Sequence, residues 1–233
     1  MAGLPPCVPF VGVSHRGWGS AEGEDVSVPE AHVVGPSAWA VERFGRHAGV
    51  VAAAVPEQLA KAHAKAHAAH LAAGLKKRSP YGVALAGVVR ENLAETAREL
   101  GESVRDVRGY EYAVINGYAL FPFRYADRPR PLDRARLPAN VSPTRRRLFQ
   151  AHGPDSPDGL FEVDGGLATE EYLGLHEAFE ELGSSTRLVC VFFTADAEKG
   201  IHVIHWGEAH LEPDRTFTWP YREQLPVAPV PLE

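Results

Sequence analysis

The chain has 233 residues, 45% of them hydrophobic, and a formal net charge of −6 at pH 7. That is material for one large or two small domains with a sizeable core, and the negative balance argues against a generic polyanion binder. No run reaches the roughly 18 uncharged apolar residues of a membrane span, the first residues lack the pattern of a secretory signal, and Cys7 and Cys190 cannot build a disulfide framework, so a soluble, cytoplasmic protein is expected.

Residues 1–36 are rich in Gly and Pro without a sustained period and read as an irregular arm. A single domain is expected over 37–225, helical over 37–101 and mixed over 102–225, with a flexible tail at 226–233. Ser37 is placed to cap a first helix with Trp39, Val41, Phe44, Ala48 and Val51 on one face. A second helix is expected from Pro56, a residue suited to a first helical position, through "EQLAKAHAKAHAAHLAAGLKK". A third opens at Ser79-Pro80 and stops at Gly101, with Leu85, Val88, Val89, Leu93, Ala97 and Leu100 as its stripe.

The period then falls to two. Residues 110–115 and 118–125 flank Asn116-Gly117, the pair that suits a two-residue type I′ hairpin turn. The turn sets Ile115 opposite Tyr118, and puts Tyr110, Tyr112, Phe121, Phe123 and Tyr125 on one face. Pro122 cannot donate to a ladder, so its side of the strand is expected at an outward edge or a bulge. Further on, Thr169 can cap an acidic helix that ends at Gly183. "TRLVCVFFT", residues 186–194, is apolar on both faces and reads as a central strand, with "IHVIHWGEAHLE" returning antiparallel. The expectation is an α+β fold: N-terminal helices followed by an antiparallel sheet built from two β-hairpins with an intervening helix, all helices on one side of the sheet.

Four patterns carry candidate chemistry. Residues 124–147 hold eight arginines against two aspartates. Arg124, Arg128, Arg130, Arg134, Arg136, Arg145, Arg146 and Arg147 can track a phosphate backbone, with Tyr125 to stack on a base. The choice of arginine over lysine suits bidentate contacts to phosphate or carboxylate, and Ser142-Pro143 opens a short helix among them. A competing internal role is to clamp the acidic helix, which carries Glu170, Glu171, Glu177, Glu180 and Glu181.

The second pattern is His63, His67 and His70, which fall within an arc of about 60° on one helix face. The third is His202, Glu208 and His210 on one face of the last expected strand. Either set can offer ligands to a transition metal. The fourth is "AETARELGESVRDVRGY", whose Ala97, Leu100, Gly101, Ser103 and Val107 have the spacing of a helix-turn-helix. Phosphate-loop, dinucleotide, paired-cysteine and nucleophile-elbow motifs are absent. "DAEKG" and "RLFQAH" echo nuclease spacings only superficially. The leading expectation is a non-catalytic protein that binds nucleic acid or another acidic or phosphorylated partner. The alternatives are a metal-dependent enzyme and a protein-interaction module using the acidic helix or the hairpin edge near Pro122.

Overall fold

The computed structural model describes residues 35–74, 76–77, 79–107, 109–139, 143–154, 182–183 and 185–227, all in the unit that begins at Gly35. The expected arm, the body of the acidic helix at 169–183 and the end of the tail lie outside the described residues.

Ser37 caps α1 (Ala38–Phe44) as expected, its hydroxyl accepting from the Ala40 amide at 3.1 Å. Gly45, at φ 54°, ends the helix after Phe44. A single 3-10 turn, Gly45–His47, then leads into α2 (Ala48–Ala72). The first two helices therefore divide earlier than expected, and Pro56 sits inside α2 rather than opening it. α3 (Ser79–Glu99) follows its predicted span and buries Leu85, Val89, Leu93 and Ala97.

The segment with helix-turn-helix spacing is overturned. After Gly101 (φ 73°) the chain enters a strand, β1 (Ser103–Val107), which pairs along its full length with β2 (Tyr110–Ile115). A glycine stop followed by a small polar residue serves a strand start as well as a helix cap, and β-branched Val104 and Val107 favour the strand. β3 (Tyr118–Ala126) joins β2 through Asn116-Gly117, whose φ values of 50° and 80° are those of a type I′ turn. The pairing of Ile115 with Tyr118 is the expected one.

The other strands are β4 (Arg187–Asp196), β5 (Gly200–Leu211) and β6 (Phe217–Leu225). They complete a six-stranded sheet in the order β1-β2-β3-β4-β5-β6. The sheet is mixed, not antiparallel: β3 and β4 run parallel, and the other neighbours are antiparallel. A parallel pair requires a long crossover, and residues 127–186 supply it. Two three-stranded meanders thus meet at the β3–β4 seam.

The helices also occupy both faces rather than one. α1, α2 and α3 cover the face bearing Ile115, Leu120, Val191, Phe193, Ile204 and Trp206. α4 (Pro143–His152), which opens at the predicted proline, covers the face bearing Tyr112, Phe121, Phe123, Phe192 and Phe217, with Leu148 and Phe149. Each fully buried aromatic or aliphatic side chain contributes about 1.5–3 kcal/mol. The sheet interior is where the fold's stability resides. No helix among the described residues is long and apolar enough to cross a membrane.

Candidate phosphate and nucleic-acid interface

The arginine-rich segment begins at the carboxyl ends of the parallel strands. Arg124 is half-buried on β3. Its Nε donates to the Ala195 carbonyl at 2.9 Å, and its guanidinium lies 5.6 Å from the centre of the Tyr81 ring. Tyr125 is the extra residue of a β-bulge, since Arg124 pairs with Phe193 and Ala126 with Thr194. Its ring tilts against Phe192, and its hydroxyl donates to the Arg130 carbonyl at 2.7 Å. Both residues expected to meet a ligand thus have internal duties. The same contact explains the local path, because Tyr125 pins the turn that follows β3.

Beyond it the chain is anchored by Leu132, Ala135 and Leu137, all buried. Arg128, Arg130, Arg134 and Arg136 alternate with these anchors and are exposed. Arg136 lies 3.7 Å from Asp214; the other three have no ion pair among the described residues. On α4, Arg146 is exposed and Arg145 half-buried. The Arg147 side chain lies outside what is described.

One arginine that sequence reasoning missed joins this group. Arg90 on α3 is only 7% exposed and has no carboxylate beside it among the described residues. The Tyr110 ring covers its guanidinium at 4.6 Å. Burial lowers its pKa most, the Tyr112 hydroxyl raises it, and the charge of Arg145 lowers it again. The available signal was a charged residue one position after Val89 and three before Leu93, at the margin of an apolar stripe.

The histidines are placed otherwise. His63 is buried, with Nδ1 2.9 Å from the Tyr81 hydroxyl, and its ring stacks at 5.7 Å on His67. His70 Nδ1 is buried without a hydrogen-bond partner. Burial, then the charge of His67, holds His63 below the ordinary imidazole range, while Asp196 opposes them. His202 is a bulge residue, opposite the step between Thr194 and Ala195.

His202 and Glu208 stand six residues apart on β5, about 20 Å in an extended strand, so one ion cannot bridge them. Glu208 is instead held by Arg43 of α1, whose Nε donates at 2.7 Å and whose pKa is raised by that bond. Among the described residues no group of three His, Cys, Asp or Glu side chains converges on a metal position.

Pro122 is not at a sheet edge either. β3 pairs with β4 along its length, and with β2 only at Val114↔Ala119 and Ile115↔Tyr118. Past Ala119 the hairpin opens, which accommodates a residue without an N–H.

No protein-family model matches this chain, and searches of curated proteins and of solved structures return no significant match.

Proposed function

We propose that the protein is a non-catalytic binding protein that engages a phosphate-bearing partner, nucleic acid foremost, through Arg128, Arg130, Arg134, Arg145 and Arg146. One observation carries the reading: none of these five guanidinium groups is ion-paired among the described residues. A cluster without ion pairs among the described residues supports a local positive field on a negative protein, which favours a defined anionic partner over indiscriminate polyanion binding.

The test is a salt titration of binding to single-stranded and duplex oligonucleotides. Five phosphate contacts give a slope of log K against log salt of about −4.5 on duplex DNA and about −3.5 on single strands. Arg128→Ala/Arg130→Ala/Arg134→Ala changes only exposed side chains. It is expected to leave the melting temperature unchanged and to flatten that slope by about three contacts. Arg145→Ala/Arg146→Ala/Arg147→Ala is expected to weaken binding likewise. Absence of binding to any oligonucleotide at low salt would remove the nucleic-acid assignment.

A further inference from the structure

His63, Tyr81 and the Asp196 carbonyl form a chain of hydrogen bonds across three elements. The Tyr81 hydroxyl donates to the carbonyl at 3.5 Å and lies 2.9 Å from His63 Nδ1. A hydroxyl has one proton to give. With that proton on the carbonyl, Nδ1 carries the imidazole N–H and donates to the phenol oxygen. The network thus assigns the tautomer and leaves the lone pair on Nε2, where an added proton goes. Proton uptake by His63 breaks none of these bonds, so its cost falls elsewhere.

It falls on the neighbouring ring. His67, one turn further along α2, stacks on His63 with ring centres 5.7 Å apart and planes 9° from parallel. His63 is only 5% exposed, and His67 is half-buried. Two neutral imidazoles tolerate this stack; two imidazolium rings at that spacing repel, and burial deepens the repulsion. From the other elements His63 faces Tyr81 on α3, Asp196 on β4 and His202 on β5. Arg124 of β3 stands over the Tyr81 ring, 5.6 Å from its centre. Asp196 favours a proton on His63 and His202 opposes it. The Asp196 carboxylate is tied to the β4–β5 turn, where Oδ1 accepts from the Glu198 and Lys199 amides at 2.9 and 3.2 Å.

α2 is weakly held where the pair sits. Before His63 the helix buries Val51, Val55, Leu59 and Ala62. Between Ala64 and Ala72 it buries only Ala66; His67 and His70 are half-buried and the rest exposed. A helix end with few buried apolar contacts opens at a lower free energy than the core. Relief of the repulsion therefore comes from this end, which carries His67 into water while the earlier turns of α2 stay packed. Protons bind the open end more readily than the closed stack, so acid shifts the population toward it.

We propose that the His63–His67 stack is an acid-triggered latch: closed while both rings are neutral, it opens when both take up protons and releases the end of α2, from Ala64 to Ala72, from the first turn of α3. Tyr81, the residue it uncovers, is the one on which Arg124 rests, and a Cβ on Gly82 would lie 3.2 Å from Arg124 Nη1. The latch therefore closes over the root of the arginine-rich segment. It is independent of the function proposed above, because none of the arginines invoked there takes part in it.

Amide hydrogen exchange of the full chain at pH 7.5 and pH 5.0, expressed as protection factors, tests the latch. Protection from Ala64 to Ala72 and over the first turn of α3 is expected to fall roughly tenfold or more in acid, while β3 and β4 keep theirs. His67→Phe retains a ring to stack but cannot take up a proton, and is expected to abolish the acid loss. His67→Gln, likewise uncharged, serves if the phenyl ring does not fit. Imidazole nitrogen chemical shifts at pH 7.5 are expected to place the His63 proton on Nδ1. No acid loss, a loss spread evenly over the molecule, a loss undiminished in the His67 variants, or a proton on Nε2 would each overturn the proposal.

Discussion

His63 on α2 and Tyr81 on α3 share a buried contact of 2.9 Å between Nδ1 and the phenol oxygen. The Tyr81 hydroxyl in turn donates to the Asp196 carbonyl at 3.5 Å. The pair therefore links two helices to the end of the central strand. Tyr81→Phe removes the oxygen alone and leaves a buried imidazole nitrogen without its partner. Such a change costs about 1–3 kcal/mol. Urea denaturation is expected to show a lower midpoint with an unchanged slope; an unchanged midpoint would show that the contact contributes nothing.

The same burial sets a pH dependence. His63, His152 and His205 are all held below the ordinary imidazole range, in each case chiefly by burial. Around His63 the charges of His67 and His202 push the same way and Asp196 opposes them. The sign follows from proton counting. Unfolded histidines take up protons near pH 6.5, whereas the folded ones do so only at lower pH. Between those values the unfolded chain binds more protons. Stability is therefore full above about pH 6.5 and falls as the pH drops from there toward the folded pKa values. Urea midpoints at pH 7.5 and pH 5.5 check this, and His63→Gln is expected to reduce the difference between them.

Much of the fold was legible because local chemistry decides it. Ser37, the α3 stripe, Asn116-Gly117, the doubly apolar β4 and the proline that opens α4 each specify their element from a few neighbouring residues. The misreadings concern choices that local chemistry leaves open. Leu100-Gly101 followed by Ser103 ends a helix but does not say what comes next, and β1 follows where a recognition helix was equally well punctuated. The parallel seam between β3 and β4 depends on how residues 127–186 cross over, which no periodicity records.

β6 passed unrecognised because "FTWPYREQL" is half polar and contains a proline; Trp219 and Pro220 sit opposite Ala209 at a bulge, where the missing N–H does no harm. At the candidate interface, the sequence located the exposed arginines by composition. It did not reveal Arg90, whose burial under the Tyr110 ring depends on a residue remote in the chain.

Gly207 marks a close approach of strands that a side chain cannot share. A Cβ built there would lie 2.2 Å from the Tyr221 carbonyl oxygen and 2.9 Å from the Arg222 Cα. Both are backbone atoms and cannot rotate away. Gly207→Ala must therefore push β6 from β5, a kind of overpacking that typically costs about 1–3 kcal/mol. Hydrogen exchange is expected to lose protection selectively at β6 amides while β3 and β4 keep theirs. Uniform protection would mean that the strands accommodate the methyl group.

Glu223 gathers three donors from separate parts of the chain. Its Oε1 accepts from the Ser37 hydroxyl at 2.9 Å and from the Trp206 indole at 2.5 Å, and its Oε2 accepts from the Tyr221 hydroxyl at 2.9 Å. Ser37 also caps α1, so one carboxylate joins that cap to β5 and β6. Trp206 is fully buried, and Trp39 packs edge-on against it at 5.5 Å and stacks on Tyr221 at 4.6 Å. Glu223→Ala strands the indole N–H away from water, and hydrogen bonds to charged groups contribute about 1.5–3 kcal/mol. Glu223→Gln keeps one acceptor oxygen and is expected to lose less. Because Ser37 and Glu223 share a bond, Ser37→Ala and Glu223→Ala should together cost less than the sum of their separate effects. A double-mutant cycle by urea denaturation, followed through tryptophan fluorescence, measures that coupling; strict additivity would show that the cap and the carboxylate act independently.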